Sequence, residues 1–239
     1  MENIFYTFTT RTSMVSPSGE ILKGIGVSTK PFDTFNLGYH VGDEKWTVTK
    51  NRAILAKICQ SRPIFMDQYH SDKIIVLDAP FDGGDPHCDA IITDQNDLTL
   101  CVMVADCAPV LLWDSTKGVI AAIHAGRVGI TKRIITKTVT KMANHYGCMT
   151  KDMHAIVGPH ICRDCYEIGD MDLGDFDQFI VNKHFDMRAA LSAELSTLGL
   201  ANFEIGDVCT CCHPNYYSYR RDQITGRQVG MICLKSGLS

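Results

Sequence analysis

The sequence predicts an α+β protein built on mixed β-sheet, and three observations carry that expectation. Apolar runs of strand length recur through the middle of the chain, at residues 91–94, 98–105, 110–113 and 119–124, bounded by polar or glycine-bearing turns. Two later segments, 130–146 and 187–198, repeat their apolar residues at the helical period instead. Strands and helices follow one another without a steady βαβ rhythm, which favours an α+β arrangement over a doubly wound one.

Residues 4–11 read as a first strand, with Ile4, Tyr6 and Phe8 on one face. Residues 12–33 are rich in Gly, Ser and Pro and read as a loop with a short strand. The following FNLGYHVGDEKW is too irregular for a regular element; such segments either line sites or form surface loops. Residues 47–59 predict a helix, because Val48, Leu55, Ile58 and Cys59 share a face. Short strands are expected at 63–67 and 73–77 with His70 between them, then a loop at 81–88 marked by DGGDP. The turn DSTKG separates the strands at 110–113 and 119–124. The clearest helix is 130–146, where Ile135, Val139, Met142 and Tyr146 form a stripe and Gly147 is placed to cap the end. A buried strand follows at 154–158. Met187, Leu191, Leu195 and Leu198 line the second good helix. Strand-like pieces at 216–220 and 228–234 flank DQITGR. With no internal repeat, low-complexity tract or linker, one domain is expected over 1–239.

Of the 239 residues 45% are hydrophobic and 21% charged, as in ordinary globular proteins, and the net charge is −4. No basic block is present, so no nucleic-acid partner is expected, since phosphate neutralisation needs clustered Lys and Arg. The N-terminal segment lacks the basic-then-apolar order of a signal peptide. Asp106 and Asp114 interrupt the most apolar region, so no membrane partner is expected and a cytoplasmic location is. Eleven cysteines in a chain of this size are read as core thiols, metal ligands or nucleophiles rather than disulfide staples.

Cys107 and His124 both stand where an apolar run gives way to a loop, followed by Ala-Pro and Ala-Gly. There a side chain can leave the core and face a cleft. With His70 they supply the three nitrogen and sulfur ligands of a catalytic zinc site that keeps one position open. None of the short zinc spacings joins them, so the residues alone favour a buried thiol and two core or surface imidazoles. Cys162-x-x-Cys165 and Cys209-Thr-Cys211-Cys212-His213 have spacings that suit a second, structural zinc; the competing reading is unconnected thiols. No two of the 9 histidines are separated by a single residue, against the paired imidazoles of a multicopper oxidase. The H-x-E…P-C-x-x-C deaminase signature is also absent.

Several pieces together resemble the laccase-domain, YfiH-like family once called polyphenol oxidases. They are FNLGYHVGD with Asn51-Arg52, QYH at 68–70, DAIITD, VADCAPVLL, AAIHAG, VGPHI with CYEIG, and SYRRDQITGR, in family order over nearly the whole chain. Two stretches depart from the pattern. Gly126-Arg127-Val128-Gly129 replaces Gly-Trp-Arg-Gly, and Ser13-Met14-Val15-Ser16 replaces Gly-Gly-Val-Ser. The resemblance implies one layered α/β/β/α domain with mixed sheets, and zinc rather than copper on His70, Cys107 and His124, which would also be the catalytic residues. It implies a purine nucleoside phosphorylase acting on adenosine, inosine and S-methyl-5'-thioadenosine, with adenosine deaminase activity. Its partners would be nucleoside and phosphate; monomer and homodimer both stay open. Phosphate calls for arginine, and Arg220 and Arg221 are the first candidates, with Arg11, Arg52 and Arg127 behind them. If 216–220 is a strand, Arg220 and Arg221 face opposite sides and only one reaches the pocket. Asn36 is a candidate for ribose or base and otherwise a turn former. His40 and Asp106 are candidate proton carriers, and Asp106 is equally a candidate to orient its loop. The alternatives are a Cys–His amide hydrolase acting on a cell-wall precursor with Cys107 as nucleophile, a noncatalytic metal- or nucleotide-binding protein, and a polyphenol oxidase-like copper protein.

Overall fold

The computed structural model describes residues 4–78, 81 and 83–235. Asp82 of the expected 81–88 loop and the two ends of the 1–239 span lie outside the described residues. Ten strands form two mixed sheets. In chain order they are β1 (Ile4–Phe8), β2 (Arg62–Phe65), β3 (Ile74–Leu77), β4 (Ala90–Thr93), β5 (Leu98–Val104), β6 (Ala108–Asp114), β7 (Val119–Ala125), β8 (Met153–Val157), β9 (Asn202–Ile205) and β10 (Gln228–Leu234). The smaller sheet has the order β1-β10-β5-β2, with β2 parallel to β5 and the other pairs antiparallel. The larger has the order β9-β8-β6-β7-β4-β3, with parallel pairs only at its two edges. The helices are α1 (Lys45–Cys59), α2 (Arg127–Thr131), α3 (Ile134–Tyr146), α4 (Met187–Thr197) and the single turn α5 (Tyr219–Asp222).

The period of two along each strand assembles the layers. On β5, Leu100, Val102 and Val104 pack against Leu111, Trp113, Ile120 and Ala122 of the other sheet. Cys101 and Met103, the residues between, join Leu55 and Cys59 of α1 instead. On β6 and β7 the alternate residues Val110, Leu112, Ala121 and Ile123 face α3 and α4 through Ile135, Val139, Leu191 and Leu195. The layers are therefore α1, small sheet, large sheet, and α2 to α4, an α/β/β/α order. Strands covered on both faces bury every residue, which is why β5, β6, β7 and β10 read as largely apolar runs. No helix among the described residues is long and apolar enough to cross a membrane.

Three local expectations are corrected. The helix expected over 130–146 starts earlier and is broken, because Arg133 takes a left-handed backbone conformation at φ 56°. No glycine or asparagine marks that break; the Arg133 guanidinium lies over the Phe176 ring, 5.1 Å from its centroid. The strand expected at 216–220 is absent: residues 216–218 are loop, and the helical turn Tyr219–Asp222 follows, capped by the Ser218 hydroxyl, which accepts the Arg221 N–H at 3.2 Å. The first strand ends at Phe8 rather than residue 11. Edge strand β9 carried no sequence signal, because Asn202 and Glu204 face solvent and only four residues pair.

Candidate metal centre and its cavity

The turn Ala105-Asp106-Cys107 carries the chain from β5 in one sheet to β6 in the other. Asp106 sits there at φ 99°, a conformation that costs a non-glycine residue and persists only where the surroundings hold it. Three bonds do so. The Asp106 carboxylate accepts the Thr210 hydroxyl and the Arg220 N–H, both at 2.7 Å, and its carbonyl accepts the Ile161 N–H at 2.9 Å. With both carboxylate oxygens engaged, Asp106 serves as the loop orienter rather than as a free proton carrier.

The turn sets Cys107 beside the end of β7, where Pro109 is in register with His124. His70, left-handed at φ 61°, completes the group. The ligand atoms of His70, Cys107 and His124 all lie within 4.8 Å of one another, with the Cys107 Sγ 3.8 Å from His70 Nε2. Behind them stands Asp89, fully buried. Its carboxylate accepts His124 Nδ1–H at 2.7 Å, the His70 backbone N–H at 3.1 Å, and the Ser71 N–H and hydroxyl at 2.7 Å each. This orients the ring and turns Nε2 toward Cys107.

Charge in the group is tightly linked. Burial alone would raise the Cys107 thiol, but the neighbouring imidazoles, His124 first, bring it down to about 6. Burial alone would lower His124, yet Cys107 and Asp89 push it up to about 9. Asp89 is held at about 2 against its own burial by hydrogen bonds from His124 and Ser71. The protein thus stabilises a thiolate where a metal would sit. Gly126 makes room for it: a Cβ there would lie 3.1 Å from both the Cys107 Sγ and the His70 ring. Two imidazoles and a thiolate with an oriented carboxylate behind them fit a borderline-soft divalent metal.

The group opens on a cavity of about 360 Å³, within the range of small-molecule sites. The remaining walls include His40, Gln68, Tyr166, Tyr219, Arg220 and Arg227. Arg220 lies over the Tyr166 ring and donates to the Glu167 carbonyl at 2.8 Å. Burial and then Arg227 lower the His40 pKa, which favours the neutral imidazole. Gly38 explains part of the FNLGYH segment, because a Cβ there would meet the Arg227 stem at 2.8 Å.

Other candidates lie elsewhere. Asn36 is fully buried and does not line the cavity. Its amide donates to the Gly38 carbonyl and to Asp43, and its oxygen accepts the N–H groups of Gly38 and Arg227. It shapes the wall from behind rather than meeting a ligand. Arg221 turns away from the cavity and donates to the carbonyls of Thr210, Cys211 and Tyr216 and to Asp222. Arg11 pairs with Asp33 and Asp222, and Arg52 with Asp85. Arg127 opens α2 and does not itself line the cavity, but its side chain bonds to Tyr166, which does. Sequence reasoning missed Asp89 and Arg227. The Asp89 signal was an acid directly before the apolar Ala90-Ile91-Ile92, a place where a buried charge needs a partner.

Fold and site together define a two-sheet α+β protein with a His/His/Cys candidate metal centre in a ligand-sized cavity. Comparison with known proteins adds the family and supports the fold. The family described as multi-copper polyphenol oxidoreductase laccase matches residues 19–235, and the chain belongs to it. A purine nucleoside phosphorylase of Corynebacterium glutamicum is 38% identical over 87% of this chain and 90% of its own length. One from Streptomyces coelicolor is 36% identical, covering 87% and 91%. Among solved structures, a Neisseria meningitidis protein of family DUF152 aligns with TM-score 0.84 at 30% identity, over 99% of this chain and 96% of that one. The YfiH protein of Bacillus licheniformis aligns at TM-score 0.83 and 26% identity, over 97% and 93%.

Proposed function

We propose that this chain is a zinc-dependent purine nucleoside phosphorylase that accepts adenosine, inosine and S-methyl-5'-thioadenosine and also deaminates adenosine. The observation that carries the reading is one cavity faced by two kinds of group. His70, Cys107 and His124 stand on one side, and the cations Arg220 and Arg227 on another. Relatives named purine nucleoside phosphorylase at 38% and 36% identity support the same reaction class.

In phosphorolysis a phosphate oxygen forms a bond to the ribose anomeric carbon, the glycosidic C–N bond breaks, and the purine leaves with that electron pair. Arg220 and Arg227 would hold the phosphate, whose charge guanidinium matches best. Tyr166 and Tyr219 offer ring faces against which a purine or ribose can rest. His40 lines the same cavity, and its lowered pKa suits it to give or take a proton at the nucleoside. His70, Cys107 and His124 would hold zinc, which when bound supplies Lewis acidity to a ligand oxygen or nitrogen or to water. Asp89 orients His124, and Asp106 orients Arg220 through its backbone.

A second reading rests on a specific geometry. Asp89, His124 and Cys107 also form the carboxylate–imidazole–thiol line of a cysteine hydrolase. Adenosine incubated with zinc-quantified protein, with and without phosphate, separates the two. Phosphate-dependent adenine together with inosine supports the nucleoside reading. Absence of turnover, with rapid alkylation of Cys107 in the zinc-loaded protein, supports the hydrolase.

A further inference from the structure

Away from the cavity, four cysteines from two distant parts of the chain converge. Cys162, Cys165, Cys209 and Cys212 place their sulfurs within 4.8 Å of one another. They come as two Cys-x-x-Cys pairs, one flanking the short 3-10 turn Arg163–Cys165 and one in the loop between β9 and α5. Neither pair closes a disulfide; all four are free thiols, with Cys165 and Cys212 3.4 Å apart. The Cys209 Sγ accepts two backbone N–H groups, from Cys162 at 3.2 Å and from Cys212 at 3.4 Å. Amide donors aimed at one sulfur favour its anionic form, the state a metal takes. The two loops are already registered around this point: His160 pairs with Cys209 as a bridge, the His160 N–H reaches the Val208 carbonyl, and the Thr210 N–H reaches the His160 carbonyl.

We propose that Cys162, Cys165, Cys209 and Cys212 form a second, structural metal site that binds one zinc ion as a tetrathiolate. Sulfurs about 2.3 Å from a tetrahedral ion stand about 3.8 Å apart, so shifts of at most roughly 1 Å in the observed spacings close the shell. No sulfur is left over for an open position, which makes the site closed and structural rather than catalytic. Its place in the fold gives it a task. The Cys162 loop carries Ile161 and Tyr166 to the cavity wall, and the Cys209 loop carries Thr210, which holds Asp106. One ion would fasten both loops, so the shape of that wall depends on it. The inference is independent of the reaction proposed for the cavity, because it concerns other ligands and another ion.

The test uses the full chain, purified under reducing conditions with zinc, and metal quantification by mass spectrometry. The unaltered chain should hold about two zinc ions, one per cysteine-bearing site. Cys107→Ala should hold about one, and Cys107→Ala combined with Cys212→Ser or with Cys162→Ser should hold about none. Cobalt loaded into Cys107→Ala should show the strong thiolate-to-cobalt absorption and visible bands of a tetrahedral tetrathiolate. Cys107→Ala with Cys211→Ser keeps the ion, since Cys211 lies outside the quartet. If the quartet variants do not fold, native mass spectrometry of the unaltered chain before and after mild chelation still counts the ions. A Cys107→Ala protein that holds no zinc overturns the proposal. So does recovery of the quartet as disulfides, an iron spectrum in place of zinc, or loss of the ion in the Cys211→Ser variant.

Discussion

Asp89 and His124 meet across 2.7 Å, the carboxylate fully buried and the imidazole nearly so. The bond ties the start of β4 to the end of β7 and sets which nitrogen of His124 faces Cys107. Partners of this kind govern metal affinity as well as ligand orientation. Asp89→Asn should therefore weaken zinc binding by roughly 10–100-fold while leaving the fold in place. Chelator competition measures it. Unchanged affinity would mean that His124 is not a ligand.

Cys107 should behave as a thiolate at neutral pH once metal is removed. Its ionisation, brought down to about 6, puts the thiolate above that pH and the thiol below it. Alkylation of the metal-free protein should rise as pH increases through about 6 and then level off, well below the range of an ordinary thiol. Zinc should suppress the reaction. In Asp89→Asn the rise should move to higher pH, because His124 loses the carboxylate that favours its cationic form.

Gly126→Ala tests the space around the ligands. The added methyl would lie 3.1 Å from both the Cys107 Sγ and the His70 ring, closer than ordinary contact. Metal affinity should fall while the melting temperature of the metal-free protein changes little. The residue is extended rather than left-handed, so no backbone strain confuses the result.

Arg220 and Arg221 are neighbours with separate expected effects. Arg220 faces the cavity, and Arg220→Ala should raise the KM for phosphate by about 10–100-fold, the scale of a charge-assisted hydrogen bond. Arg221→Ala should instead lower stability by roughly 1–3 kcal/mol, because carbonyls of Thr210, Cys211 and Tyr216 lose their donor. Steady-state kinetics beside thermal melts separates the two; equal KM effects would contradict the assignment.

The layers were legible because strands buried on both faces leave unbroken apolar runs, as in LCVMV and APVLL. Cys107 and His124 stand where such runs end, but the residues alone favour a structural reading, and the ligand set with His70 comes from the family resemblance. What the residues alone left hidden depends on contacts between distant segments. Asn36 looks like a turn residue or a ligand contact in isolation, and only its bond to the Arg227 N–H, 191 positions away, gives it a supporting role. Arg220 and Arg221 read as a strand because the Ser218 cap and the Asp106 carboxylate that hold the helical turn are tertiary features. Arg133 breaks a helix without any residue type that announces it. The cysteine quartet shows its spacing in sequence, but its convergence needs the fold.

Inosine and phosphate, given to zinc-loaded protein, test the central claim most directly. Phosphorus NMR would follow ribose 1-phosphate while chromatography follows hypoxanthine. The account predicts equal amounts of both products, none without phosphate, and a loss of turnover in Cys107→Ala and His124→Ala. Zinc-loaded protein that turns over neither inosine, adenosine nor S-methyl-5'-thioadenosine would contradict it.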